Sequence, residues 1–186
     1  MAARRIPAQA GTSLVEVLVS MVILSIGLLS LVVLHGRLHL LQMESYQRSQ
    51  GLILLNDMAN RIVLNRNDAG SYVTASPLGV GMTCPAGAVT RQEADFSEFC
   101  SVLQGTAETL GANQVGAMLG ARACVEDLGS GEYMVTVAWQ GLAPVSAPPA
   151  SVSCGATLYN GAAGSPCQND LCRRVVTTVV RVATLT

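Results

Sequence analysis

The stretch Arg4-Arg5-Ile6-Pro7-Ala8-Gln9-Ala10-Gly11-Thr12-Ser13-Leu14-Val15-Glu16 leads into 18 residues, Val17–Leu34, that carry no charge. As a helix rising 1.5 Å per residue those residues span about 27 Å, close to the hydrocarbon thickness of a bilayer. A secretory signal peptide places a shorter apolar region ahead of its cleavage site. Here the obvious processing point, Gly11, comes first, so the apolar run is expected to stay in the mature chain. Glu16 stands alone at the head of that run. A carboxylate at the centre of a membrane helix costs roughly 2.5–3.5 kcal/mol, which argues for a dedicated partner. The bland alternative places Glu16 in the headgroup region of a plain membrane anchor.

Charge sets the orientation. Arg4 and Arg5 precede the run, whereas the flank after it carries only Arg37 before Glu44. The positive-inside tendency keeps the N-terminus cytoplasmic and exports the rest. All 11 basic residues are arginine; removing residues 1–11 leaves 9 of them against 12 acidic side chains, a formal charge of −3. That balance offers no clustered basic footprint for nucleic acid. Trp139, four tyrosines and two phenylalanines are too few for a base-stacking platform.

Six cysteines, Cys84, Cys100, Cys124, Cys154, Cys167 and Cys172, lie in the segment that would be exported. An even number in an oxidising compartment points to disulfides. Zinc is the competing reading, but no pair has C-x-x-C spacing and both histidines, His35 and His39, lie far upstream. Connectivity stays open among 15 pairings. Cys84–Cys100 is preferred, with Cys154–Cys172 as a second bridge around the last loop. His35 and His39 are four apart, yet Gly36 stands where H-E-x-x-H requires glutamate, so no metal and no cofactor is expected.

No proline occurs between Pro7 and Pro77, and one helix is predicted from about Ser13 to Arg66. Leu38, Leu41, Tyr46, Leu52, Leu55, Ala59 and Ile62 recur at three- and four-residue steps along its second half. Gly27, Gly36 and Gly51 are its expected soft points, and Asn67-Asp68-Ala69-Gly70 its end. Ser13, Ser20, Gly27 and Ser30 form a small-residue side suited to close helix contact. Residues 67–93 read as an irregular loop, and Asp95 to about Leu110 as a short helix weakened by Gly105. Ala117–Glu126 and Glu132–Gln140, joined through residues 127–131, read as a hairpin. Tyr133, Val135, Val137 and Trp139 alternate on one face, toward the long helix. Val176, Thr178, Val180 and Val182 offer a third strand. Pro144, Pro148, Pro149 and Pro166 exclude a central strand from residues 141–171.

The leader, the glycine and the glutamate five residues beyond it together resemble the class III signal of type IV pilins and type II secretion pseudopilins. The resemblance implies cleavage by prepilin peptidase between Gly11 and Thr12, and N-methylation of Thr12. One departure stands out: the first mature residue of that family is usually phenylalanine or methionine, and here it is Thr12. It also implies a salt bridge in which Glu16 meets the Thr12 ammonium of a neighbouring subunit. Further stretches are similar to minor pilins of the PilV type: Leu55-Asn56-Asp57-Met58-Ala59-Asn60-Arg61-Ile62, Tyr133–Trp139, and Cys172-Arg173-Arg174-Val175-Val176.

The expected fold is therefore α+β and pilin-like. A long N-terminal helix, membrane-spanning in its first half, packs on a small antiparallel sheet with a disulfide-clipped C-terminal loop. The expected divisions are 1–11 leader, 12–34 membrane and assembly helix, 35–66 amphipathic continuation and 67–186 periplasmic domain. The implied partners are prepilin peptidase, the inner membrane, and other minor pilins and the major pilin through the N-terminal helix. Neither nucleic acid nor a small-molecule substrate is expected, and no Ser/His/Asp or C-x-x-C arrangement suggests an enzyme. The implied role is priming and joining a type IV pilus at the cell surface, supporting twitching motility and adhesion. A type II secretion pseudopilin, a surface adhesin and a DNA-uptake pilin using Arg173-Arg174 are the alternatives.

Overall fold

The computed structural model describes residues 13–87, 89–106, 109–111, 113–114 and 118–183. The expected cleavage and methylation positions, Gly11 and Thr12, lie outside them. One helix, α1, runs unbroken from Leu14 to Leu64. With no proline inside it, nothing removes a backbone donor over its 51 residues. Gly27, Gly36 and Gly51 do not interrupt it. The chain divides into two compact units, Met1–Gln42 and Met43–Thr186.

In the second unit α1 buries Gln47, Gly51, Leu54, Leu55, Met58 and Ile62. Steps of three and four put these on one face. Leu55 and Ile62 were expected there and Ala59 packs at its margin, but Tyr46 and Leu52 are exposed. The run Leu52-Ile53-Leu54-Leu55 fits a helical stripe in more than one rotation. The residues packed against it select one.

A 3-10 turn, Arg66–Tyr72, follows α1 where a plain loop was expected. Helix α2 spans Arg91–Leu103, starting four residues before the expected Asp95 and stopping short of Leu110. Its start is a capping box: Thr90 Oγ1 accepts from the Glu93 amide at 3.2 Å, and Glu93 Oε2 accepts from the Thr90 amide at 3.1 Å. Leu110 belongs instead to a small ribbon of β2 (Thr109–Leu110) and β3 (Asn113–Gln114).

The main sheet orders its strands β1-β4-β5-β6, all antiparallel: β1 (Leu78–Gly79), β4 (Arg122–Gly129), β5 (Glu132–Gln140) and β6 (Arg173–Arg181). The expected start of the first hairpin arm, Ala117, lies outside the described residues; the strand itself begins at Arg122 and runs on to Gly129. Its turn is only Ser130-Gly131, with φ of 57° and 76°. Two positive φ values give a primed turn whose twist matches the flanking strands. The extra residue near Asp127 is absorbed as a register shift.

Val135, Val137 and Trp139 join Leu55, Met58, Ile62, Tyr72, Phe99 and Leu103 in one core, with Tyr133, Val176 and Val182 packed against it. The expected alternation on β5 is present. The opposite sheet face is covered too, by the loop between β5 and β6. Cys154 and Tyr159 bury Cys124 and Ala138 there.

The structure joins Cys84 to Cys100, as preferred from the sequence. The second expected bridge, Cys154–Cys172, does not form: Cys154 joins Cys124, and Cys167 joins Cys172. Cys124 sits on the sheet face that the loop covers, so the loop cysteine meets the sheet instead of its neighbour in sequence. With a sequence separation of 30 this bridge removes the most unfolded-chain freedom, roughly 3–4 kcal/mol in a loop-entropy account.

Candidate assembly helix

The first part of α1 is apolar and bare. Every residue from Leu14 to Gln42 is exposed. Its most apolar 18-residue window has mean hydropathy 2.9 and none of it is buried. Water would penalise such a surface by about 25 cal/mol for each Å² of apolar area. The helix is thus long and apolar enough to cross a membrane, and it presents its side chains to whatever surrounds it.

Ser13 caps it. Its Oγ accepts the Glu16 amide at 3.3 Å, and Glu16 sits in the first turn. A carboxylate there also complements the partial positive charge of the helix start. Glu16 therefore has a local role in helix initiation besides any intersubunit one. The serines of the expected small-residue side are satisfied at home: Ser20 Oγ donates to the Glu16 carbonyl at 2.8 Å and Ser30 Oγ to that of Ile26 at 3.0 Å. Such back-bonding lets hydroxyls sit in an apolar medium without an outside partner. His35 and His39 share a ring-nitrogen hydrogen bond of 3.0 Å on the exposed surface.

In the second unit, α1 is fixed by charge as well as by packing. Arg61 Nη1 lies 2.9 Å from Asp95 Oδ1 and 3.0 Å from Glu98 Oε2, while its Nε is 3.0 Å from Asp57. The Asp95 side chain is buried and also accepts from the Tyr72 hydroxyl. Burial works against the Arg61 charge, and Glu98 and Asp57 overcome it, so the guanidinium holds its proton more tightly than usual. Burial, then the bond to Asp95, pushes the Tyr72 hydroxyl up to about 12. Near the start of the unit, Glu44 accepts from the Leu142 amide at 2.8 Å and pairs with Arg174 at 3.3 Å.

These contacts bear on two sequence readings. Arg173 is buried, donating to the carbonyls of Val152 and Cys154 at 2.8 and 3.0 Å. Arg174 is held by Glu44 and the carbonyls of Leu171 and Ala143. The pair is occupied inside the fold and is no free basic patch for DNA. The acids Glu93, Asp95, Glu98, Glu126 and Asp127 form no shared site. Glu93 caps α2, Asp95 and Glu98 take Arg61, Glu126 accepts from Ser153, and Asp127 accepts from the Gly129 amide. Among the described residues no group of three or more His, Cys, Asp or Glu side chains is placed to hold a metal. The Arg61–Asp95–Tyr72 network was not foreseen; only the i,i+4 spacing of Asp57 and Arg61 hinted at it.

The family described as the prokaryotic N-terminal methylation motif matches residues 6–32. No curated protein and no solved structure matches the chain. The motif supports a type IV pilin or pseudopilin, a structural kind of protein, and with it processing by prepilin peptidase and assembly with other pilins. The long bare helix agrees with membrane anchoring.

Proposed function

We propose that this chain is a minor pilin. It is inserted in the inner membrane with its C-terminal domain in the periplasm, helps prime a type IV pilus, and enters the fibre to support twitching motility and adhesion. One observation carries the reading: the methylation motif, matched over residues 6–32, runs through an apolar helix surface left wholly bare. A surface of that kind needs lipid before assembly and neighbouring helices after it. The specifically minor role rests on the resemblance of residues 55–62, 133–139 and 172–176 to minor pilins of the PilV type. The same motif serves type II secretion pseudopilins, which differ in the apparatus they join.

In this reading residues 1–11 are the leader, 12–34 the membrane and assembly helix, 35–66 its amphipathic continuation and 67–186 the periplasmic domain. Prepilin peptidase cuts between Gly11 and Thr12, and Thr12 is methylated with its positive charge retained. The Glu16 carboxylate then pairs with the Thr12 ammonium of a neighbour. Each charge offsets the desolvation of the other, and leaving one unpaired in a buried setting costs roughly 3–5 kcal/mol.

Mass spectrometry of protein sheared from the cell surface tests this. The expected N-terminus is methylated Thr12, and Gly11→Ala is expected to retain the leader. Glu16→Ala is expected to insert normally but to fall at least tenfold in the sheared fraction. Normal entry of that variant into fibres removes the pairing role. Surface material that still carries residues 1–11 removes the reading.

A further inference from the structure

Strand β6 ends the main sheet, and its outer edge is unpaired among the described residues. Two bonds fix which groups point outward. The Val182 amide donates to Gly131 at 2.8 Å and the Gly141 amide to Cys172 at 2.7 Å. Antiparallel bonding alternates, so Arg174, Val176, Thr178 and Val180 bond to β5. Val175, Thr177, Val179 and Arg181 then aim their N–H and C=O groups away from the sheet. Sheet edges are ordinarily blunted by proline, bulges, brevity or inward charge. This one has unbroken register with β5 over nine residues, and Val175-Val176-Thr177-Thr178-Val179-Val180 contains neither charge nor proline.

The topology narrows what covers it. Residues of α1 in the second unit run in the same direction as β6. Glu44 meets Arg174 where the strand starts, and Gly70, just past the helix, lies near the hydroxyl of Tyr133, whose strand partner is Val180. Pairing β6 with β6 of a second copy in the favoured antiparallel sense needs a two-fold axis perpendicular to the sheet. That axis reverses α1 in the second copy. In the assembly proposed above, neighbouring copies carry these α1 residues in the same sense, and copies so aligned cannot form that pair. A neighbour standing the same way up meets β6 with the opposite edge of its own sheet. In this chain the strand at that edge, β1, runs antiparallel to β6 but has only two residues.

We infer that the outer edge of β6 receives an antiparallel strand from a different pilin-like subunit anchored in the same membrane, one whose opposite sheet edge is longer than Leu78–Gly79. The inference rests on the pilin reading above and adds to it a contact surface outside the N-terminal helix. The added strand bonds to Val175, Thr177, Val179 and Arg181 and continues the sheet.

The test uses full-length chain in the membranes of cells that make its companion prepilin-type subunits. Thr178→Cys is paired in turn with single cysteines along the edge strand of each companion. A disulfide-linked heterodimer is expected with cysteines at alternate positions of one companion, and Val179→Pro, which deletes one outward N–H, is expected to cut it at least tenfold. Hydrogen exchange on the unmutated chain keeps the test independent of that variant's folding. Alone in detergent, the amides of Val175, Thr177, Val179 and Arg181 are expected to exchange at least a hundredfold faster than those of Val176, Thr178 and Val180, and to slow at least tenfold with the companion. A Thr178→Cys homodimer as the main product, no cross-link to any companion, or outward amides already protected in the lone chain overturns the inference. Leader removal is read on the same samples. A processed, inserted chain that fails to cross-link sinks the edge contact alone, while an unprocessed chain sinks the pilin reading as well.

Discussion

The two parts of α1 are one helix in two different situations. From Leu14 to Gln42 every residue is exposed and most are apolar, with no charge from Val17 to Leu34; from Met43 to Leu64 one face is buried and the rest carries Arg48, Asn56, Asp57, Asn60 and Arg61. Propensity does not separate them, because both parts are helical. The solvent each part must meet does. In water a helix is held by packing an amphipathic face. The second part has such a face and uses it on the sheet. The first buries no face, and its apolar run Val17–Leu34 is stabilised only in lipid or among other helices. Each part also carries a telling charge: Glu16 has no cationic partner among the described residues, whereas Arg61 has Asp57, Asp95 and Glu98.

Those two charges give the sharpest test of the contrast. Arg61→Ala strands the buried Asp95 carboxylate with Tyr72 and the exposed Arg91 as its remaining partners. The second unit is expected to lose roughly 3–5 kcal/mol, the range for breaking one side of a buried pair. Urea unfolding of the full chain in detergent, followed through Trp139, reads this directly. Glu16→Ala is expected to leave the same transition unmoved. Equal losses would mean that the two parts are not energetically distinct.

Tyr72 supplies a smaller effect with a defined pH window. Its hydroxyl stays neutral to about 12, against an ordinary value of 10.0, because burial and the bond to Asp95 disfavour the phenolate. A folded-state value above the unfolded one stabilises fully below pH 10 and is lost as pH rises through about 12, on the order of 2–3 kcal/mol. Tyr159 is raised as well, first by burial, so both phenols contribute to alkaline unfolding. Tyr72→Phe is expected to flatten the stability curve above pH 10 without removing its whole slope. An unchanged slope would mean that burial and the bond to Asp95 do not hold the Tyr72 hydroxyl above its ordinary value.

What the sequence made legible follows the same divide. The helix was readable almost to the residue, Ser13–Arg66 against Leu14–Leu64, because an apolar run and then an amphipathic one lack proline throughout. Glu16 was readable because a lone charge in an apolar run has no local explanation. The start of α2 was also in the sequence, as Thr90-x-x-Glu93, but lay inside a stretch whose Gly, Pro and Ser content suggested only loop. Arg61–Asp95 was not readable, since 34 residues separate partners that only the fold brings together. Nor was the second sheet face. Thr136 and Ala138 look like solvent-side residues of β5 until the Cys124–Cys154 bridge lays the loop over them.

Glycine substitutions probe the contrast most finely, because the same change is made twice in one helix. A Cβ at Gly51 would lie 2.9 Å from the Trp139 ring, whereas one at Gly27 meets nothing within 4 Å. Alanine in a helix interior gains about 1 kcal/mol over glycine. At Gly51 the overpacking of a buried indole, typically 1–3 kcal/mol, opposes that gain. The expected net is a loss of up to about 2 kcal/mol in the second unit, with a shift in Trp139 fluorescence. Gly27→Ala is expected to change neither, and to raise helicity in detergent slightly. The comparison fails if Gly51→Ala stabilises the unit with its Trp139 signal intact, for then the close approach of helix and strand does not set the rotation of α1.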